Sequence, residues 1–182
     1  MKLFKSFTPE VIRLLKSGAV GIIPTDTVYG IVTTLSDIKS VERIYQLKKR
    51  PLSKPIGTII FFGTEQIAQF TDASEVIKAQ KYWPGPNSVI LTVSPELDYA
   101  HKGLNSLPFR VPDDKKIQAI LEETGPLATT SANISGLPTI ENIKDAHVLF
   151  GDSVDFYVDG GNLSNKRPSN IIRIKMTVAQ SH

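Results

Sequence analysis

The chain has 182 residues, a net charge of +3, 41% hydrophobic and 21% charged residues, and no cysteine. These globular values exclude a disordered chain, a disulfide scaffold and a thiolate metal site. No apolar run approaches the ~18 residues that span a bilayer and Met1–Ser6 shows no apolar leader, so one cytoplasmic domain over 1–182 is expected. The small positive excess favours anionic partners such as nucleotides or RNA.

Taken in order, Thr8-Pro9-Glu10 reads as an N-cap, an N1 proline and a first-turn acid, opening a helix that Gly18 ends. Val11, Leu14 and Leu15 would form its buried face. The apolar run Ala19–Ile23 is a buried strand that stops at Pro24, which has no N–H for a sheet ladder. The turn Thr25-Asp26-Thr27-Val28-Tyr29-Gly30 follows. Two readings stand here: a capped strand-to-helix turn with Asp26 or Thr27 as N-cap, or a ligand-facing strand end of the kind open α/β sheets use. Residues Gly30–Thr34 carry the chain to Asp37, which caps a helix with Val41, Ile44, Tyr45 and Leu47 at helical spacing, ending at Lys48-Lys49-Arg50-Pro51.

Ile56–Phe62 reads as a strand. Thr64 would cap a short helix, and Asp72 or Ser74 a second that runs to about Tyr82. Trp83-Pro84-Gly85-Pro86 breaks the chain before the strand Ser88–Val93. Ser94–Ser106 has little periodicity. Leu107–Val111 looks like a strand that Pro108 confines to an edge or a bulge. Asp113 and Asp114 cap a helix over 115–124 with Ile117, Ile120 and Leu121 inward. The strand Leu127–Thr130 runs into Ser131-Ala132-Asn133-Ile134-Ser135-Gly136. A helix over Glu141–Leu149, the strand Phe156–Val158, the turn Asp159-Gly160-Gly161 and a last strand Asn170–Ile174 complete the chain. Strands and helices alternate, yet several connections are too short for crossovers. The expected fold class is α/β (α+β), with a twisted mixed sheet flanked by helices.

Polar clusters stand at three strand ends: Thr25/Asp26/Thr27, Thr130/Ser131/Asn133 and Ser169/Asn170. Lys48 and Arg50 close a helix with Lys54 just beyond. If these ends converge, the pocket has neutral donors and acceptors on its walls and cations at its mouth. That suits a zwitterionic or hydroxylated small molecule joined to a polyphosphate. A Gly-x-x-x-x-Gly-Lys-Ser/Thr loop, a Gly-x-Gly-x-x-Gly fingerprint and a Gly-x-Ser-x-Gly elbow are all missing. His101, His147 and His182 are scattered without metal-ligand spacing and are expected at the surface. An enzyme without an evident nucleophile or base works by positioning and electrostatics, as phosphoryl and nucleotidyl transfer do.

Pro24-Thr25-Asp26-Thr27-Val28-Tyr29-Gly30, Lys48-x-Arg50-Pro51, Trp83-Pro84-Gly85-Pro86, Arg110-Val111-Pro112, Ser131-Ala132-Asn133-Ile134-Ser135-Gly136 and Pro168-Ser169 occur in this order. The series resembles the YrdC/TsaC family of threonylcarbamoyl-AMP synthases, short single-domain form, over roughly Val11 to Ile174. The resemblance implies a twisted mixed sheet with a deep basic cleft. It also implies a reaction in which L-threonine, bicarbonate and ATP give threonylcarbamoyl-AMP and pyrophosphate. The product would pass to a tRNA threonylcarbamoyl transferase complex that modifies adenosine beside the anticodon.

By that resemblance Lys48 and Arg50 are catalytic and bind ATP with Lys54, Ser106, Ser131 and Asn133. Thr25, Tyr29, Arg110, Thr129 and Ser169 would hold threonine, and Mg²⁺ would arrive through ATP, with no organic prosthetic group. Asp26 would cap and brace its turn. Ile59 stands where some relatives place a histidine against threonine, and Leu107-Pro108-Phe109 could bulge and shift Arg110. The alternatives are a non-catalytic module that binds double-stranded RNA or tRNA, and a domain of a carbamoyl-transfer enzyme. Basic residues concentrated at one helix end, without interleaved aromatics, argue against binding alone.

Overall fold

The computed structural model describes residues 2–174, so His182 lies outside the described residues. Nine strands form one sheet: β1 (Lys2–Phe4), β2 (Gly21–Ile23), β3 (Gly30–Thr34), β4 (Thr58–Ile60), β5 (Asn87–Thr92), β6 (Ser106–Arg110), β7 (Leu127–Ser131), β8 (Phe156–Val158) and β9 (Asn170–Arg173). The helices are α1 (Pro9–Lys16), α2 (Ile38–Lys48), α3 (Thr64–Ile67), α4 (Ala73–Ala79), α5 (Asp98–His101), α6 (Lys115–Thr124) and α7 (Ile143–Phe150). The strand order is β1-β8-β2-β3-β7-β4-β6-β5-β9. Pairings are both parallel (β1–β8, β2–β8, β4–β6, β5–β9) and antiparallel (β2–β3, β3–β7, β4–β7, β5–β6), which is the mixed sheet expected. Among the described residues, no helix is long and apolar enough to cross a membrane.

Period-2 alternation sends successive strand residues to opposite faces. Ile22, Ile31, Ile59, Val89, Leu107, Phe109 and Ala128 enter the larger core cluster with residues from α2, α4, α5 and α7. Ile23, Val32, Ile60, Leu127, Phe156 and Val158 face the other way and pack on Val11 and Leu15 of α1 and Ile117, Ile120 and Leu121 of α6. On that second face the alternation continues to Gly30, Thr58, Ser88, Arg110, Thr129 and Ser131. Helices α1 and α6 thus bury the apolar half of the face, and its polar half is left to form a site.

Several expectations change. Gly30–Thr34 is a buried strand, so Pro24–Tyr29 is the loop of a β2–β3 hairpin and no helix follows it. Lys2–Phe4 adds an edge strand. Gly63, not Thr64, is the N-cap of α3 and makes no side-chain bond there. Strand β6 lies inside the sheet despite Pro108. Strand β4 pairs with it only at Phe109 and Arg110, so Pro108 lies beyond that ladder and owes it no N–H. The registers run evenly on both sides, without the expected bulge. The excursion after Ser94 folds into α5 and carries His101 to 1% exposure, where Nδ1 accepts the Asn105 N–H at 3.2 Å. His101 is therefore a core residue, whereas His147 is exposed as expected.

Candidate active site

The β2–β3 loop is built around the Thr25 hydroxyl. Thr25 Oγ1 donates to the Val28 carbonyl at 2.7 Å and accepts the Thr27 N–H at 3.1 Å. Its only proton is spent on Val28, so in the 3.0 Å contact with Thr27 Oγ1 the Thr27 hydroxyl is the donor. Thr27 Oγ1 in turn accepts from Arg110 Nη1 at 3.1 Å. A directed chain thus runs from the guanidinium through two hydroxyls into the turn. The turn's hydrogen bonds come from Thr25, and both Asp26 carboxylate oxygens are buried without a hydrogen-bond partner. Asp26 Oδ1 lies 3.3 Å from Arg110 Nη2, so Asp26 neutralises the guanidinium and does not cap the loop.

Burial pushes the Asp26 carboxyl above the usual carboxylate range, and the Arg110 charge works against that. Burial likewise pushes Arg110 down, opposed by Asp26; a guanidinium stays protonated all the same. At 3% exposure Arg110 keeps a buried Nε that has no partner. It is a cation with donors to spare, fixed from one side.

In front of it is a cavity of about 190 Å³, lined by Thr25, Thr27, Gly30, Gly57, Thr58, Arg110, Thr129, Thr130, Ser131 and Ser169, among others. Its small size suits a metabolite below drug size. Glycines open it: a Cβ on Gly57 would lie 2.3 Å from the Thr129 carbonyl oxygen, and one on Gly30 2.8 Å from Thr129 Oγ1. Thr129 Oγ1 makes no hydrogen bond among the described residues. Thr58 and Ser169 in the lining are linked through Ser88 in a hydroxyl chain, 3.0 and 2.8 Å between successive oxygens. A wider groove of about 880 Å³ between α3, α6 and Trp83-Pro84 contains none of the candidate residues.

Of the threonine-side candidates, Thr25, Arg110, Thr129 and Ser169 meet in the small cavity. Tyr29 does not line it. The ring lies in the core, and the hydroxyl donates to the Gly161 carbonyl at 2.9 Å and accepts the Gly160 N–H at 2.8 Å. Ile59 faces the core as well, and Gly57 and Thr58 occupy the wall there. Thr58 and Ser88 were not singled out from the sequence, and Thr27 was named there only as a cap and a member of its strand-end cluster. Their signal was a hydroxyl interrupting an apolar strand or turn.

Of the nucleotide-side candidates only Ser131 lines the cavity. Lys48 Nζ reaches the Ser131 carbonyl at 2.6 Å and, at 2.8 Å each, the Asn133 carbonyl and Oδ1, which joins Lys48 and Asn133 to the cavity's edge. Burial first, then the neighbouring Arg50, push the Lys48 ammonium down to about 7. Lys49 ends α2 in the left-handed conformation (φ 48°), and Arg50 turns back to donate from Nε to the Pro55 carbonyl at 2.6 Å. Lys54 is exposed in the loop that Arg50 braces. Ser106 is at the far end of β6 from Arg110, ~13 Å along an extended strand. Among the described residues no group of three or more His, Cys, Asp or Glu side chains could hold a metal ion.

The Sua5/YciO/YrdC family model, described as telomere recombination, matches residues 13–181. The putative threonylcarbamoyl-AMP synthase of Methanocaldococcus jannaschii is 33% identical over 91% of this chain and 81% of its own. The threonylcarbamoyl-AMP synthase of Klebsiella pneumoniae is 31% identical over 89% and 88%. The structure of P. abyssi Sua5 complexed with L-threonine superposes with a TM-score of 0.83 at 25% identity, covering 95% of this chain and 54% of that one. This chain therefore spans about half the length of Sua5. E. coli YciO shares the fold, with a TM-score of 0.81 at 21% identity over 96% of this chain and 89% of its own. With the family match running almost end to end and the sheet superposing along the same span, this chain belongs to the Sua5/YciO/YrdC family.

Proposed function

We propose that this chain is an L-threonylcarbamoyladenylate synthase, a nucleotidyltransferase of the cytoplasm. It would make threonylcarbamoyl-AMP and pyrophosphate from L-threonine, bicarbonate and ATP. The observation that carries the reading is the small cavity itself, lined by a fixed guanidinium, Arg110, together with free and chained hydroxyls. An α-carboxylate pairs with the guanidinium, and the Thr129 hydroxyl and the Ser169 end of the chain meet the amino acid's polar groups. The Thr25 hydroxyl is committed to its turn, so Thr25 shapes the wall instead of donating to the ligand.

N-carboxylation of the amine by bicarbonate, with loss of water, gives a carbamate. One carbamate oxygen attacks the α-phosphorus of ATP, and the bond to the β-phosphate oxygen breaks to release pyrophosphate. Negative charge builds on the phosphoryl oxygens, and Arg50, just beyond the end of α2, would neutralise it. Ser131 and Asn133 hold the nucleotide beside the cavity, while Lys54 and Ser106 reach it only at its outer parts. The cavity wall offers hydroxyls and a guanidinium and no carboxylate cluster, which fits Mg²⁺ carried in on the phosphates. The product would serve a tRNA threonylcarbamoyl transferase complex.

Pyrophosphate release from Mg·ATP tests the reading. Release should require threonine and bicarbonate together and fall at least ~10²-fold in Arg50→Ala or Lys48→Ala, the scale of losing one electrostatic or positioning group. Release indifferent to threonine contradicts it, and tight double-stranded RNA binding without turnover would favour the binding module.

A further inference from the structure

Lys48 leaves the last turn of α2 pointing inward, with 1% of its surface exposed. Its three acceptors are the Ser131 carbonyl at 2.6 Å and the Asn133 carbonyl and Oδ1, both at 2.8 Å. An ammonium has three protons and no lone pair, so these oxygens use it up. They are fixed in their turn. Asn133 Oδ1 also accepts from Ser131 Oγ at 2.7 Å, and Asn133 Nδ2 donates to the Leu137 carbonyl at 2.5 Å. The Ser135 N–H closes the loop by donating to the Lys48 carbonyl at 2.9 Å. Burial pushes the amine down to about 7, yet a shell made only of oxygens is one the charged form fills best.

Arg50, two residues on, is the opposite case. Only its Nε is engaged, at the Pro55 carbonyl, and its two terminal nitrogens make no hydrogen bond among the described residues. A phosphate arriving beside Ser131 would have to take Lys48 away from three acceptors and leave them buried and unpaired, which is costly. The Arg50 terminus can be taken at no such cost.

We propose that Lys48 is a positioning residue. Its ammonium folds the Ser131–Ser135 turn into the shape that receives the nucleotide, and the cation that meets phosphate is Arg50. The nucleotide as ligand rests on the synthase reading above; the clamp itself does not.

ATP affinity measured by calorimetry across a range of salt concentrations separates the roles. Lys48→Met keeps the stem and removes the charge. It should weaken ATP about 10²-fold, the scale of a displaced binding group, with the salt dependence unchanged. Arg50→Met should weaken ATP and flatten the salt dependence, because a charge–charge contact is lost. A flattened salt dependence in Lys48→Met overturns the proposal. So does an unchanged ATP affinity, the result for a merely structural lysine.

Because Lys48→Met could fail to fold, isotope-coded reductive methylation of the wild-type chain provides a second readout. Lys48 should label far more slowly than exposed Lys49, with and without Mg·ATP. Labelling at the Lys49 rate in free protein, suppressed by Mg·ATP, overturns the proposal. A wild-type chain that binds no ATP contradicts the synthase reading instead, and the labelling rate in the free protein alone then decides the role of Lys48.

Discussion

Arg110 and Asp26 show how one residue pair sets the character of the cavity. The guanidinium is held from behind by Thr27 and by a carboxylate that has no hydrogen bond of its own, so its remaining donors stay available. Burial raises the Asp26 carboxyl above its ordinary value of 3.8. The folded state therefore binds that proton more tightly than the unfolded state. The contribution is favourable at low pH and is lost as pH rises from about 3.8 through the folded value. Urea unfolding of wild type and Asp26→Asn from acid to neutral pH should show the variant missing that fall; parallel curves would contradict it. The family resemblance pointed to Arg110, Thr129 and Ser169, whereas residue type alone reached only Ser169, as one of the strand-end hydroxyls. Residue type misassigned Asp26, since Asp and Thr are equally good turn residues and only geometry shows which oxygen the backbone uses. Tyr29 was equally ambiguous, because its ring suits a core as well as a pocket wall.

The helices were legible as elements because their ends carry chemical punctuation. Thr8, Asp37 and Asp114 each accept a backbone N–H at the N-caps of α1, α2 and α6. Asp114 Oδ1 takes two, from Lys116 at 2.9 Å and Ile117 at 3.0 Å. Asp114→Ala should therefore cost about 1 kcal/mol in urea unfolding, and an unchanged midpoint would show that the cap contributes nothing. Strands were harder to read. Gly30–Thr34 is buried throughout, so it lacks the polar–apolar alternation that marks a half-exposed strand. Pro108 was read as an edge signal because the rule assumes that both neighbours demand an N–H along the whole strand. Here β4 pairs over two residues only, a fact of tertiary register that no local pattern contains.

At the level of the whole molecule, the site results from incomplete coverage of one sheet face. Helices α1 and α6 bury Ile23, Val32, Ile60, Leu127 and Phe156 and stop there. Strands β3, β4 and β7 continue as Gly30, Thr58, Thr129 and Ser131, and β6 adds Arg110; all five line the cavity. Residues 85 positions apart, Thr25 and Arg110, meet because the β2–β3 loop lies over the polar part of this face, where Thr27 accepts from the guanidinium. The sequence showed the mixed sheet and most of the threonine-side residues. It could not show the strand order, nor that Lys48 is spent on the Ser131–Asn133 turn.

The central claim is that this cavity holds threonine by its carboxylate. Calorimetric titration of L-threonine into the nucleotide-free chain and into Arg110→Met tests it most directly. The account predicts saturable one-to-one binding by wild type that Arg110→Met loses by at least ~10-fold, since a charge-assisted bidentate pair contributes more than about 1.4 kcal/mol. Equal affinity in both proteins, or no binding by wild type, would contradict it.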